Sequence, residues 1–193
     1  DDKNITLKEL AEQITHSVES RNVKASSLAF FTHGDESQFS ITDDKIVRLE
    51  TLKTDPAIQD FFIAISGVLE ADGRIDLLAC NLAASEEGLE LLSELELLTN
   101  LDFAASTDLT GAAILGGDWI LETDDIRVDE VYFNRNEGLS QDSTQDGLSE
   151  GELSPDLNLL ETWEHTLEIF GTAAHKGTKG SPTFWNQVNS ITE

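Results

Sequence analysis

His33 and Cys80 are the two side chains whose setting most suggests chemistry. Phe30-Phe31-Thr32-His33-Gly34 carries an imidazole at the abrupt end of an apolar run, and Leu77-Leu78-Ala79-Cys80-Asn81 carries the single cysteine at the end of another. A thiolate is a strong nucleophile, an imidazole can hold or move its proton, and backbone N–H groups can stabilise the oxyanion formed on an attacked carbonyl. Gly34 follows the histidine directly, and without a side chain its N–H can approach a substrate carbonyl closely. That chemistry requires the two runs to be neighbouring strands, because ligands of open α/β sheets bind outside the carboxyl ends of the strands. The same residues also have a plainer reading. A cysteine after an apolar strand is commonly a small buried hydrophobe, and only its surroundings make it reactive.

The elements that would position these residues follow from spacing. Thr6 and Glu9 have capping-box spacing, and Leu7, Leu10, Ala11, Ile14 and Val18 recur at helical period, which predicts a helix over 6–20. The run 27–32 reads as a buried strand, and 39–41 as a short edge strand followed by a polar turn. Asp55-Pro56 starts a second helix, with Ile58, Phe61, Phe62, Ile65 and Leu69 on its apolar face and Ala71-Asp72-Gly73 as its stop. Strand 75–79 ends at Cys80. Ser85 caps a Leu-rich third helix, and 101–106 is a third strand. Segments 118–122 and 131–133 read as later strands. Strands alternating with helices predict an α/β domain, mostly parallel, with helices on both faces of the sheet, over residues 1–133. From 134 to 156 the composition turns to Gly, Ser, Gln, Asp and Glu, an acidic linker. Residues 157–193 read as a tail, with a helix expected over 157–170.

Composition narrows the function classes. The chain has 193 residues and a net charge of −26, from 38 acidic and 12 basic residues. A surface so acidic repels phosphate backbones, so nucleic acid is not an expected partner. It suits a salty or calcium-rich medium, where cations screen self-repulsion. No apolar run approaches the roughly 20 residues of a membrane helix, so membrane insertion is not expected. One cysteine excludes an internal disulfide. The sequence opens at Asp1-Asp2 without Met or a signal peptide, which reads as a processed or excised piece. No pair among His16, His33, His165 and His175 has zinc-helix spacing. Trp119 and Trp163 read as core.

An apolar strand ending in His-Gly, followed by one ending in Ala-Cys, resembles the caspase, gingipain, clostripain and separase group of cysteine peptidases. Phe31-Thr32-His33-Gly34, the run 77–84, the run Ala104-Ala105-Ser106-Thr107-Asp108-Leu109-Thr110-Gly111 and Gly116-Gly117-Asp118-Trp119 together resemble more closely a bacterial domain of unknown function. That domain is found near the start of very large surface and adhesin-like proteins. The resemblance covers about 6–133. It implies a three-layer caspase-like sandwich in a secreted or cell-surface protein, with His33 as general base, Cys80 as nucleophile, and the N–H groups of Gly34 and Cys80 as the oxyanion hole. The substrate would be a protein or peptide, the chain itself included, and the chemistry needs no cofactor. In the separase-like branch an acidic residue near Asp108 reads a basic side chain before the cut. The plainer reading, which the residue type favours, is that Asp108 starts the turn Asp108-Leu109-Thr110-Gly111. The alternative function keeps the fold and makes it a non-catalytic structural or interaction module with an inert Cys80.

The segment 142–153 resembles the calcium loops of thrombospondin type 3 repeats and EF-hands. Asp142, Thr144, Asp146, the Leu148 carbonyl and Glu150 fall at the ligand positions, and Gly147 at the turn. The last position, usually a bidentate Glu, is Leu153. Calcium is therefore the one cofactor the sequence suggests, against a solvated acidic linker as the other reading.

Overall fold

A computed structural model describes residues 5–42 and 44–133. The first helix, α1 (Leu7–Glu19), starts on Thr6, whose hydroxyl accepts from the Glu9 N–H at 3.2 Å while the Glu9 carboxylate accepts from the Thr6 N–H at 3.0 Å. This reciprocal cap satisfies two N–H groups that the first turn would leave unpaired. Strand β1 (Ala25–Phe31) follows, then a small antiparallel sheet of β2 (Gly34–Asp35), β3 (Gln38–Thr42) and β4 (Lys45–Arg48). Two helices come next, α2 (Leu49–Thr54) and α3 (Pro56–Ser66), then β5 (Leu69–Leu78), α4 (Glu86–Thr99) and β6 (Asp102–Ala105). A 3-10 turn at Ala113–Leu115, the hairpin of β7 (Ile120–Leu121) and β8 (Ile126–Arg127), and a π-helical turn at Asp129–Phe133 complete the described chain.

The main sheet has the order β1-β5-β6, all parallel. Successive side chains of a strand face opposite ways, and the two faces are filled by different elements. Leu28 and Phe30 of β1, Ile75 and Leu77 of β5, and Phe103 and Ala105 of β6 face the helices, joined by α1, α2, α3 and α4 in one apolar core. Phe30, Phe61, Phe62, Phe39 and Phe103 stack edge-on through it, with centroids 5.2–6.5 Å apart. The intervening residues Ala29, Phe31, Leu78, Cys80 and Ala104 face a second layer made by Leu109, Trp119, Leu121, Ile126, Val128 and Tyr132. The domain is thus a three-layer α/β sandwich around a parallel sheet. Its second outer layer is a hairpin and a single helical turn.

That outer layer is pinned at two places. Along the β6 edge, the Ala105 N–H donates to Thr123 Oγ1 at 2.9 Å and the Thr123 N–H to the Ala105 carbonyl at 3.3 Å. These bonds blunt an otherwise open sheet edge. At the sheet face, Asp76 is fully buried on central strand β5; its carboxylate takes Arg74 Nε at 2.5 Å and Nη2 at 3.0 Å, and the Tyr132 hydroxyl donates to it at 2.5 Å. Burial, then the Asp76 charge, raise the Tyr132 hydroxyl far above its usual range, so it stays a donor at any physiological pH.

Three expectations need correction. Gly67, not Ala71-Asp72-Gly73, closes α3, and Leu69 opens β5 opposite Ala25 instead of lying on the helix face. The register jumps from Ala25↔Leu69 to Ser27↔Arg74, so exposed Glu70, Ala71 and Asp72 bulge out of β5. A bulge can carry the polar, Gly-containing stretch that otherwise reads as a helix stop. Val131-Tyr132-Phe133 is a helical turn, because Tyr132 must turn in to reach Asp76. The polar stretch after Ile41 also holds a strand and a helix, β4 and α2. The expected linker over 134–156 and tail over 157–193 lie outside the described residues.

Replacing Tyr132 by Phe removes one donor from a buried carboxylate and leaves the ring in place. The expected cost is about 1–3 kcal/mol of unfolding free energy, measured by urea denaturation. An unchanged midpoint would show that Arg74 alone satisfies Asp76.

Candidate active site

Parallel pairing sends the loops after β1, β5 and β6 to one edge of the sheet. Phe31 lies opposite Leu78, and the Thr32 N–H continues the ladder by donating to the Leu78 carbonyl at 3.0 Å. His33 and Cys80 each follow that pair by two residues, just past the ends of the adjacent strands. Gly34 brings them closer than the ladder alone would: a Cβ built on it would lie 2.6 Å from Ala79 Cβ and 3.3 Å from the Cys80 carbonyl oxygen. Only glycine lets the chain after His33 run against the end of β5. The β2–β3 hairpin holds that path. The His33 carbonyl accepts from the Ser40 N–H at 3.0 Å, and the Thr32 hydroxyl donates to the Ser40 carbonyl. Ser85 ties the hairpin tip to α4 by donating to the Glu36 carbonyl while capping the helix at the Gly88 N–H, 3.0 Å away.

The two side chains differ in exposure. His33 is exposed. Cys80 is fully buried, and its sulfur donates to the Thr110 carbonyl at 3.4 Å. Asn81 turns the chain sharply after the cysteine with φ of 57°, a left-handed conformation that Asn tolerates better than most residues. Its N–H donates to the Asp108 carbonyl at 2.6 Å, and the Ala83 N–H donates to the Ser106 carbonyl at 2.9 Å. The loop after Cys80 is therefore stitched to the loop after β6.

Asp108 lies on that second loop, exposed, with Ser106 Oγ 3.3 Å from its carboxylate. It is not alone. Asp118 and Glu122 bring their carboxylates to it, with all three ligand atoms within 4.8 Å of one another. Glu122 is held by the Thr107 N–H at 2.6 Å, and Asp118 by the Ile120 N–H at 2.9 Å. Partial burial, then the charges of Glu122 and Asp118, raise the Asp108 carboxyl above its usual range. One cation or one basic side chain placed there would relieve the repulsion. Sequence reasoning found Asp108 but not its companions, because nothing local marks residues 118 and 122 as its neighbours. The candidate calcium ligands Asp142, Thr144, Asp146, Leu148 and Glu150 lie outside the described residues. No helix among the described residues is long and apolar enough to cross a membrane.

A family model described as a domain of unknown function, DUF4347, matches residues 6–141. No curated protein and no solved structure matches the chain.

The Asp108 environment sets a pH dependence. A carboxyl whose folded pKa is raised contributes stability below its ordinary range, about pH 4, that is lost as pH rises through the higher folded value. Asp108→Asn is therefore expected to melt above wild type at neutral pH, with the gap closing as pH falls below the carboxylate range. A gap that persists at acid pH would assign the gain to something other than charge.

Proposed function

The chain belongs to the DUF4347 family, and from that premise we propose that it is a caspase-like cysteine endopeptidase domain with His33 and Cys80 as its dyad. The observation that carries the reading is the shared edge: His33 and Cys80 each lie two residues past the ends of neighbouring parallel strands, with Gly34 packed against the Cys80 backbone. In the proposed reaction His33 takes the thiol proton and Cys80 Sγ attacks the carbonyl carbon, forming a C–S bond. The C–N bond then breaks as the imidazolium returns the proton to the leaving amine. Water, deprotonated by His33, splits the thioester and restores the thiol. The Gly34 and Cys80 N–H groups would face the oxyanion.

The three carboxylates at Asp108 favour Arg or Lys before the scissile bond, because a matched cation recovers the cost of partly desolvating them. Arg135, Lys176 and Lys179 are the corresponding sites within the chain, and cleavage at Arg135 would release everything after it. The acidic composition supports a secreted or cell-surface setting, away from nucleic acid, with calcium as a candidate ligand of the segment 142–153.

The burial of Cys80 favours a second reading, the same fold as a non-catalytic interaction module. The two are separated by incubating the full chain, Cys80→Ala and His33→Ala with peptides carrying Arg, Glu or Leu before the cut, and by mapping new termini of the chain itself. Cleavage after Arg in wild type alone is expected, with each dyad variant slower by at least about 10³-fold. Asp108→Asn should slow the Arg peptide by about 10- to 100-fold and the others little. Cuts that survive Cys80→Ala, or none at all, would leave the module reading.

A further inference from the structure

The Cys80 sulfur touches the carbonyl of Thr110, at the base of a loop that projects from the sheet edge. We propose that this loop, Leu109 to Asp118, is a lid that closes over the Cys80 thiol and uncoils to expose it. The regulatory meaning rests on reading Cys80 as the nucleophile, whereas the motion itself does not.

Four features of the loop support the motion. First, among the described residues its backbone hydrogen bonds run within it. The Asp118 N–H donates to Leu109, Gly111 to Asp118, and Leu115 and Gly117 to Ala112, at 2.8–3.1 Å. Opening it breaks the thiol contact to Thr110. Second, its closed path depends on Gly111 and Gly116, with φ of 133° and 86°. Side chains other than glycine rarely adopt the first and are strained at the second. Third, Thr110 is fully buried, and its Oγ1 has no hydrogen-bond partner among the described residues. A buried hydroxyl left unpaired penalises the closed form, and opening would hydrate it. Fourth, Ile114 and Leu115 at the tip are 89% and 52% exposed. The tip contributes little packing to holding the loop down. Leu109 and Ala112 are the apolar groups that favour closure. Closure is thus a balance between modest burial and an unsatisfied polar group, the condition for local opening well below the cost of global unfolding.

The single cysteine makes the motion measurable by iodoacetamide labelling of the full chain across a urea series, read by intact mass. Labelling of native Cys80 is expected to depend only weakly on urea, because lid opening exposes little surface. Gly116→Ala has nothing within 4 Å of the added Cβ, so it strains only the backbone of the closed lid. It should speed labelling by roughly fivefold to thirtyfold. Thr110→Val keeps the shape and removes the unpaired hydroxyl, and should slow labelling by roughly fivefold or more. In all three proteins the urea slope of labelling should stay well below that of global unfolding measured on the same protein. Labelling with the urea slope of global unfolding in all three proteins, or variants that shift the rate in the same direction, would overturn the lid. A separate arm tests the dyad: if His33→Ala leaves labelling of the Gly116→Ala protein near pH 6 unchanged, the nucleophile reading fails while the lid stands.

Discussion

The parallel pairing of β1 with β5, with Phe31 opposite Leu78, is the constraint on which the rest of the site depends. Parallel strands need a crossover long enough to return the chain to the same end, and here β2 to β4, α2 and α3 supply it. The crossover leaves by His33 and returns through β5 to Cys80, so the edge that ends one strand also ends the next. A one-residue slip in this register would send Cys80 to the helix face and part it from the outer layer. The slip is opposed by the alternation itself. Ile75 and Leu77 belong to the phenylalanine-rich core, and Asp76 must reach Arg74 and Tyr132 on the other side.

Asp76 has a particular place in that argument. A carboxylate buried in a central strand is costly unless its oxygens are satisfied, and breaking its network is worse than never having it. Its partners come from its own strand and from the last helical turn described. The buried charge therefore ties the second layer to the sheet: the layer cannot slide or leave without taking the Tyr132 donor from Asp76, whose Arg74 partner stays on β5. The same layer contributes Leu121 and Val128 around Cys80 and the three-carboxylate cluster at the edge. One polar contact at the base of the layer thus helps to fix both the environment of the thiol and the position of the charges beside it.

Much of this was legible in the sequence where a local rule governed it. Thr6 with Glu9, Asp55 with Pro56 and Ser85 mark helix starts by side-chain hydrogen bonds to nearby N–H groups, and each begins its helix as expected. The abrupt ends of two apolar runs marked His33 and Cys80 as edge residues. Legibility failed where a distant partner decided the outcome. Ala71-Asp72-Gly73 has the composition of a helix stop, but pairing of Leu69 with Ala25 draws it into a bulged strand. Val131-Tyr132-Phe133 has strand composition, but the Asp76 carboxylate recruits Tyr132 into a helical turn. Lys45 to Arg48 is too polar to read as a strand and forms one because β3 offers it an edge, with Val47 opposite Phe39. Asp118 and Glu122 join Asp108 only through the fold of the outer layer, which leaves no spacing signal.

The exposure of His33 and the burial of Cys80 are two consequences of the same edge. The turn into the β2–β3 hairpin carries His33 outward, while the tight turn at Asn81 and its bond to Asp108 keep Cys80 under the Thr110 loop. A thiol so enclosed is shielded from solvent. Lifting the loop as proposed would break that contact without touching the β1–β5 register at the base of the site. On the proposed reading, the loop over Cys80 decides whether the thiol is reached, while the sheet register stays the same. In that loop a Thr110 hydroxyl with no partner among the described residues and two positive-φ glycines stand against the burial of Leu109 and Ala112.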